Sequence, residues 1–191
     1  MICLKRIVFP VLLLLTLLSA CTSNKNMMGE ERSNNISYPH DASVEADDFI
    51  YRLYTEKDVY SEFGDTAIFA ELTYIGDQES IEISHAASPF EFPIKELTRG
   101  IEIDYAMDEP LIRTTLVKGE PLREKYRFAG GYSDNDDEEK IEFIQTISNK
   151  GFPEGNYVVN GLANFFIEKA DESTEPKSYK LNLNIGFNVR N

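Results

Sequence analysis

Four groups of residues have the types and spacing to do chemistry. Cys21 stands where an apolar run turns polar, and a thiol can be alkylated or serve as a nucleophile. Ser84 and His85 are neighbours, the two residue types that hydrolytic serine chemistry combines. Glu102 and Asp104 fall on one face of a strand at a spacing of two, which admits a carboxylate pair of the kind that cleaves glycosides. Asp134, Asp136 and Glu138, in the run SDNDDEEK, have the alternate spacing with which a loop wraps oxygen ligands around calcium.

Geometry weakens three of the four. Successive strand residues point to opposite faces, so Ser84 and His85 cannot form a dyad within one strand. The only other histidine, His40, lies in a polar stretch, and no serine sits in a nucleophile elbow. His85 is therefore expected to be a satisfied, partly buried residue at a strand end. Glu102 and Asp104 match a solvated strand face equally well, and no sugar-stacking aromatic groove accompanies them in the sequence. The acidic run departs from the EF-hand pattern, with Glu139 where glycine is required and Gln145 where the closing glutamate belongs. A solvated loop is the reading there, with calcium on Asp134, Asp136 and Glu138 as the alternative. No catalytic residue and no metal or other cofactor is expected.

Cys21 is the group with a specific context. Lys5 and Arg6 precede the apolar run 7–18, and the small Ser19 and Ala20 close it. A positive flank, a short apolar centre and a small-residue end are the parts of an export signal. A spanning helix needs roughly 20 apolar residues, which this run does not reach. Leu18-Ser19-Ala20-Cys21 resembles the lipobox of bacterial lipoprotein precursors. That resemblance implies a diacylglyceryl group on the Cys21 thiol, removal of residues 1–20 as a signal peptide, and N-acylation of Cys21 as the new first residue. It places the protein on the extracytoplasmic face of the cell membrane, held by its palmitate-type chains. Each buried methylene contributes about 0.8 kcal/mol, so several chains anchor stably where one is marginal. An ordinary signal cut after Ala20 is the alternative.

The remaining cysteine, Cys3, lies in the segment to be removed. A thiolate zinc site, a cysteine nucleophile and a disulfide are all excluded on that reading, and the domain must be held by its core. Phe and Tyr make up 12% of the chain, enough for such a core without tryptophan. The net charge is −14, and loss of Lys5 and Arg6 makes the remainder more acidic still. Phosphate backbones and anionic lipid surfaces repel such a domain, so nucleic acid is not expected as a partner.

These residues must be positioned by the elements that follow. Residues 22–47 are polar, lack strand or helix periodicity, and read as a flexible tether with a mean span of about 25–30 Å. Residues 48–191 read as one domain. Period-two alternation marks strands over 49–56, 67–74, 80–85, 90–96, 101–105 and 122–128, and richness in β-formers marks 111–117. Pro93 cannot donate to a ladder and is expected at an edge or beside a bulge. Residues 140–147, KIEFIQTI, fit a strand or a helix face, and short length with β-branching favours the strand. The segments 156–168 and 178–189 read as a long antiparallel pair around the loop 169–177. In the latter, Tyr179, Leu181, Leu183, Ile185, Phe187 and Val189 share one face.

About nine short strands with little helical pattern point to an all-β fold, an antiparallel β-sandwich, with a closed barrel as the alternative. FPEGNYVVNGLANF, with Pro153, Gly155, Tyr157 and Val159, resembles the turn-and-strand near the end of immunoglobulin-like bacterial surface domains. It is also similar to the corresponding part of the bacterial intracellular proteinase inhibitor family, although the tryptophan-bearing segment of that family has no counterpart here. An immunoglobulin-like sandwich is what the resemblance implies, with Tyr157 burying its ring while its hydroxyl caps backbone at a sheet corner. The expected function is that of a membrane-anchored lipoprotein with a non-enzymatic, protein-binding or accessory domain. A carbohydrate- or metal-assisted surface enzyme and a protease inhibitor are the alternatives.

Overall fold

Strand alternation persists only where one face finds something to cover it, and here two sheets cover each other. The computed structural model describes residues 37–168 and 175–191. In chain order the elements are β1 (Asp41–Ala46), β2 (Phe49–Thr55), β3 (Val59–Ser61), β4 (Ile68–Tyr74), β5 (Ser80–His85), β6 (Phe90–Glu91) and β7 (Ile94–Glu96). They continue with β8 (Glu102–Ile103), β9 (Ile112–Val117), β10 (Pro121–Lys125), α1 (Glu138–Lys150), β11 (Gly155–Ile167) and β12 (Lys177–Arg190).

The first sheet has the order β1-β2-β4-β10 and is antiparallel throughout. The second is built on the β11–β12 hairpin, paired from Gly155 opposite Val189 to Ile167 opposite Lys177. β3 adds to the outer side of β12 in parallel. The other side of β11 is met in turn by β7, β6 and β5, with β8 outside β7 and β9 outside β5. The fold is thus an all-β sandwich, as the alternation predicts.

Two prolines explain why β5, β6 and β7 are fragments of one line. The carbonyls of Pro89 and Pro93 accept from the backbone of Asn164 and Asn160, both at 2.8 Å. Neither proline can return an N–H, so the ladder is interrupted at each. Pro93 lies at the break between β6 and β7, and residues 86–89 separate β5 from β6.

The core fills the space between the sheets. Phe49, Tyr51 and Leu53 of β2 and Ile68, Ala70, Leu72 and Tyr74 of β4 are all buried, the phase expected from their alternation. Phe49 meets Phe165 and Tyr179 of the second sheet at centroid distances of 4.9 and 5.1 Å, in edge-to-face contact. Such pairs contribute about 0.5–1.5 kcal/mol each beyond their buried area. The sheets approach closely at Gly161, where an added Cβ would lie 2.6 Å from Leu53 Cδ2 and 2.7 Å from Tyr51 Oη. Tyr157 is buried and its hydroxyl donates to the Pro153 carbonyl at 2.7 Å, capping the chain where it enters β11.

Two sequence expectations are corrected. Residues 140–147 are helical, within α1. The Asp137 side chain accepts from Lys140 N at 2.8 Å, Glu138 and Glu139 occupy the first turn, and Gly151 closes the helix at φ 99° with its N–H on the Ile147 carbonyl. These end signals, with Phe143, Ile144 and Ile147 buried on one face, outweigh the β-branching of the isoleucines. The stretch 22–47 is not all tether: β1 lies within it and pairs along β2 from Asp41 opposite Tyr54 to Ala46 opposite Phe49. Its inward residues Ala42, Val44 and Ala46 are only half-buried and small, so its alternation is faint. The segment before it is docked too, since Pro39 accepts from Gly186 N and His40 from Thr55 N.

Candidate binding surface

Cys21 and the Leu18-Ser19-Ala20 motif lie outside the described residues. Ser84 and His85 are both buried but face different groups. The Ser84 hydroxyl reaches Glu168 at 3.4 Å, while His85 Nδ1 donates to the Ala86 carbonyl and Nε2 meets the Thr114 hydroxyl, each at 2.8 Å. Both ring nitrogens are occupied, as expected of a satisfied histidine. Glu102 and Asp104 are exposed, and Glu102 is bridged by Lys95 at 3.1 Å.

The acidic run is the start of a helix. Asp136 accepts from Ser133 N at 2.7 Å and pairs with Lys140 Nζ at 2.9 Å, which hold its carboxyl below the usual range, the Ser133 backbone bond first. Glu138 begins α1, where its charge favours the positive end of the helix. Among the described residues no three histidine, cysteine or acidic side chains group to hold a metal ion.

The outer face of the first sheet is a closed ionic and aromatic lattice. Arg52 holds Asp41 through two bonds of 3.0 and 2.6 Å, and Glu71 accepts from Tyr54 Oη at 2.9 Å and from Arg52 at 3.4 Å. Tyr54 and Phe69 stack at 5.4 Å, with Arg52 over Tyr54 at 4.1 Å and Arg123 over Phe69 at 4.0 Å. Both ring faces are covered by guanidinium groups from the same sheet, so this face satisfies itself.

One end of the sandwich is organised differently. There the β3–β4 loop, the β7–β8 turn, the α1–β11 connection and the end of β12 converge around Glu96, which is 0% exposed. Its Oε2 accepts from Arg99 N at 2.6 Å, and its Oε1 from Thr98 N at 2.9 Å and Asn156 N at 3.3 Å. The Arg99 guanidinium adds an ion pair at 3.4 Å. Burial pushes the Glu96 carboxyl up, but the N–H groups of Arg99 and Thr98 outweigh it and hold the group below the ordinary glutamate range. Gly155 has no space for a Cβ, which would lie 2.8 Å from Glu96 Oε1.

The same hub fixes the loops around it. Leu97 N donates to Asn156 O at 2.8 Å, Arg99 reaches the Glu154 carbonyl at 3.2 Å, and Glu154 N meets the Glu62 carboxylate at 3.3 Å. Glu62 N and Phe63 N donate to Arg190 O and Phe152 O, both at 3.0 Å. Phe63 is thereby held at φ 55°, a left-handed conformation that bulky residues avoid, with its ring 41% exposed. Leu97, at the tip of the neighbouring turn, is 44% exposed. Lys150 lies 5.7 Å from the Phe63 ring centroid. Phe63 and Leu97 are thus exposed apolar side chains at this end, with Glu62, Arg99, Lys150 and Glu154 in the same loops.

No protein-family model, curated protein or solved structure matches the chain. Among the described residues no helix is long and apolar enough to cross a membrane.

Sequence reasoning missed Glu96, yet its signal was present. Phe90, Phe92, Ile94 and Glu96 share one phase, and the first three are buried, so the carboxylate continues an inward-facing row. Phe63 carries no such mark, because its conformation follows from hydrogen bonds to residues distant in the chain.

Proposed function

We propose that this protein is a bacterial lipoprotein, anchored by acyl chains on Cys21 to the extracytoplasmic face of the cell membrane, whose immunoglobulin-like sandwich is a non-enzymatic, protein-binding module. The lipobox supports the anchor, and the Tyr157–Pro153 corner bond supports the immunoglobulin-like kinship. Phe63 carries the binding reading: an exposed aromatic in a strained conformation, held by neighbouring loops, is a preorganised anchor. The partner is a protein with an apolar pocket that accepts Phe63 and Leu97 and a mixed-charge rim.

Two experiments test this. Labelled palmitate enters the wild-type chain and not Cys21→Ala; equal labelling in both removes the anchor. A photo-crosslinking residue at Leu97, in intact envelopes, yields one discrete adduct that Phe63→Ala abolishes without lowering the thermal midpoint. An adduct indifferent to Phe63→Ala removes the loop end as the contact surface.

A further inference from the structure

A second feature points to a ligand, and it does not depend on the partner contact at Phe63. α1 packs beside the connection that leads into it, leaving an open groove of about 330 Å³. That volume is at the small end of the roughly 300–1,000 Å³ range of small-molecule sites. One wall is Phe128, Gly130, Gly131 and Tyr132; the other is the α1 face bearing Ile144, Gln145, Ser148 and Asn149. The floor is apolar, with Ile144 buried and Phe128 half-buried, and Tyr132 stands at the rim 48% exposed. Gln145 Nε2 donates to Tyr132 Oη at 2.9 Å and holds that ring in place.

The two glycines differ in what they require. A Cβ on Gly130 would press on Ile103 and Phe128 at 3.0 Å and on the Asp104 carbonyl at 3.1 Å, so this residue lets the wall close onto the sheet. Gly131 has nothing within 4 Å of a built Cβ and no left-handed φ. Packing does not demand a glycine there; its bare backbone opens into the groove, where a ligand can approach closely.

The lining has no charged residue, in a chain where 27% of residues are charged. An anionic ligand is disfavoured by the net charge of −14, and a cationic one finds no carboxylate on the walls. A purely apolar ligand would cover the Asn149 amide, the Ser148 hydroxyl and the amide oxygen of Gln145, whose Nε2 already donates to Tyr132, and offer them nothing. A peptide needs a free sheet edge or an extended groove, and neither wall is a strand. What fits is a ring whose C–H faces lie on Phe128 and Tyr132 while its hydroxyls meet the amides. We propose that the groove binds a neutral, hydroxyl-rich ligand of one or two saccharide rings.

The test is saturation-transfer difference NMR on the full-length chain in a zwitterionic detergent, since sugar-headed detergents would compete. The probes are glucose, N-acetylglucosamine, their β-1,4-linked disaccharides, and a capped neutral tripeptide. The expected result is transfer from protein aromatic protons to the ring C–H groups of at least one sugar. Gly131→Leu plugs the groove and Tyr132→Ala removes its rim, and each reduces transfer to the protein-free level at an unchanged thermal midpoint. The proposal is overturned if no sugar receives saturation, if transfer survives Gly131→Leu, or if the tripeptide alone receives it.

Discussion

Replacing Glu96 by glutamine changes one atom of a buried carboxylate and tests what holds the loop end together. In the wild type three backbone N–H groups converge on two oxygens, at 2.6, 2.9 and 3.3 Å, with the Arg99 guanidinium at 3.4 Å. Glutamine keeps one acceptor and turns the other into a donor, which must face Thr98 N or Arg99 N. A charge-assisted bond is lost, at about 1.5–3 kcal/mol, and a buried donor is left opposing another. A net loss of about 3 kcal/mol follows, a large fraction of a domain's total stability. For a chain of this size each kcal/mol lowers the midpoint by about 2–4 °C, so Glu96→Gln should melt about 6–12 °C below wild type at pH 7. The pH dependence has a definite sign. A carboxyl whose folded pKa is depressed contributes its stability above the unfolded value, near 4.3, and loses it as pH falls through the folded value. The gap between wild type and Glu96→Gln is therefore full at pH 7 and closes in acid, below about pH 4. Differential scanning fluorimetry across pH measures both. A midpoint within 1 °C of wild type at pH 7, by the scale above, or a gap undiminished at pH 3, would refute the reasoning.

Other substitutions probe the remaining features. Among the described residues the buried Tyr51 hydroxyl has no hydrogen-bond partner, so Tyr51→Phe should be neutral or stabilising by up to about 1 kcal/mol in denaturant melts, where loss of a buried tyrosine oxygen usually destabilises. Phe63 occupies a left-handed conformation, which costs a side chain about 1–2 kcal/mol; Phe63→Gly should therefore be at least as stable as Phe63→Ala, reversing the usual order of alanine above glycine. Asp137→Ala removes the cap on Lys140 N and should cost about 0.5–2 kcal/mol, with hydrogen exchange accelerating first in residues 138–141.

Legibility in the sequence followed how completely each strand buries one face. β2, β4 and β12 alternate between buried and half-buried or exposed residues for most of their length, and their phases could be read directly. β1 buries no residue fully, and its place depends on β2 lying beside it, which no local pattern announces. α1 was masked by residue type: Ile141, Ile144 and Ile147 suit strands in isolation, and the decisive marks were the flanking Asp137, Glu138, Glu139 and Gly151. The acidic run stands out by its charge, but its role as a helix start depends on the turn that follows. Of the loop end, the sequence pattern marks Pro153, Gly155 and Tyr157. Phe63 owes its conformation in part to Phe152, 89 positions away, while Glu96 is held first by Arg99 and Thr98 in its own turn and is joined by Asn156, 60 positions away.

The β11–β12 hairpin also governs the order in which this chain can fold. All of the first sheet is synthesised before residue 126, but β3 has no partner until β12 exists, and β6 and β7 have none on their inner side until β11 does. A chain released before residue 155 has the apolar inner faces of β2 and β4 with no hairpin to cover them. Truncated products should thus be conspicuous to proteases, because exposed apolar sheet faces are what unfolded chains present. Completion of the β11–β12 hairpin thus closes the sandwich by packing alone, since no cysteine stands among the described residues.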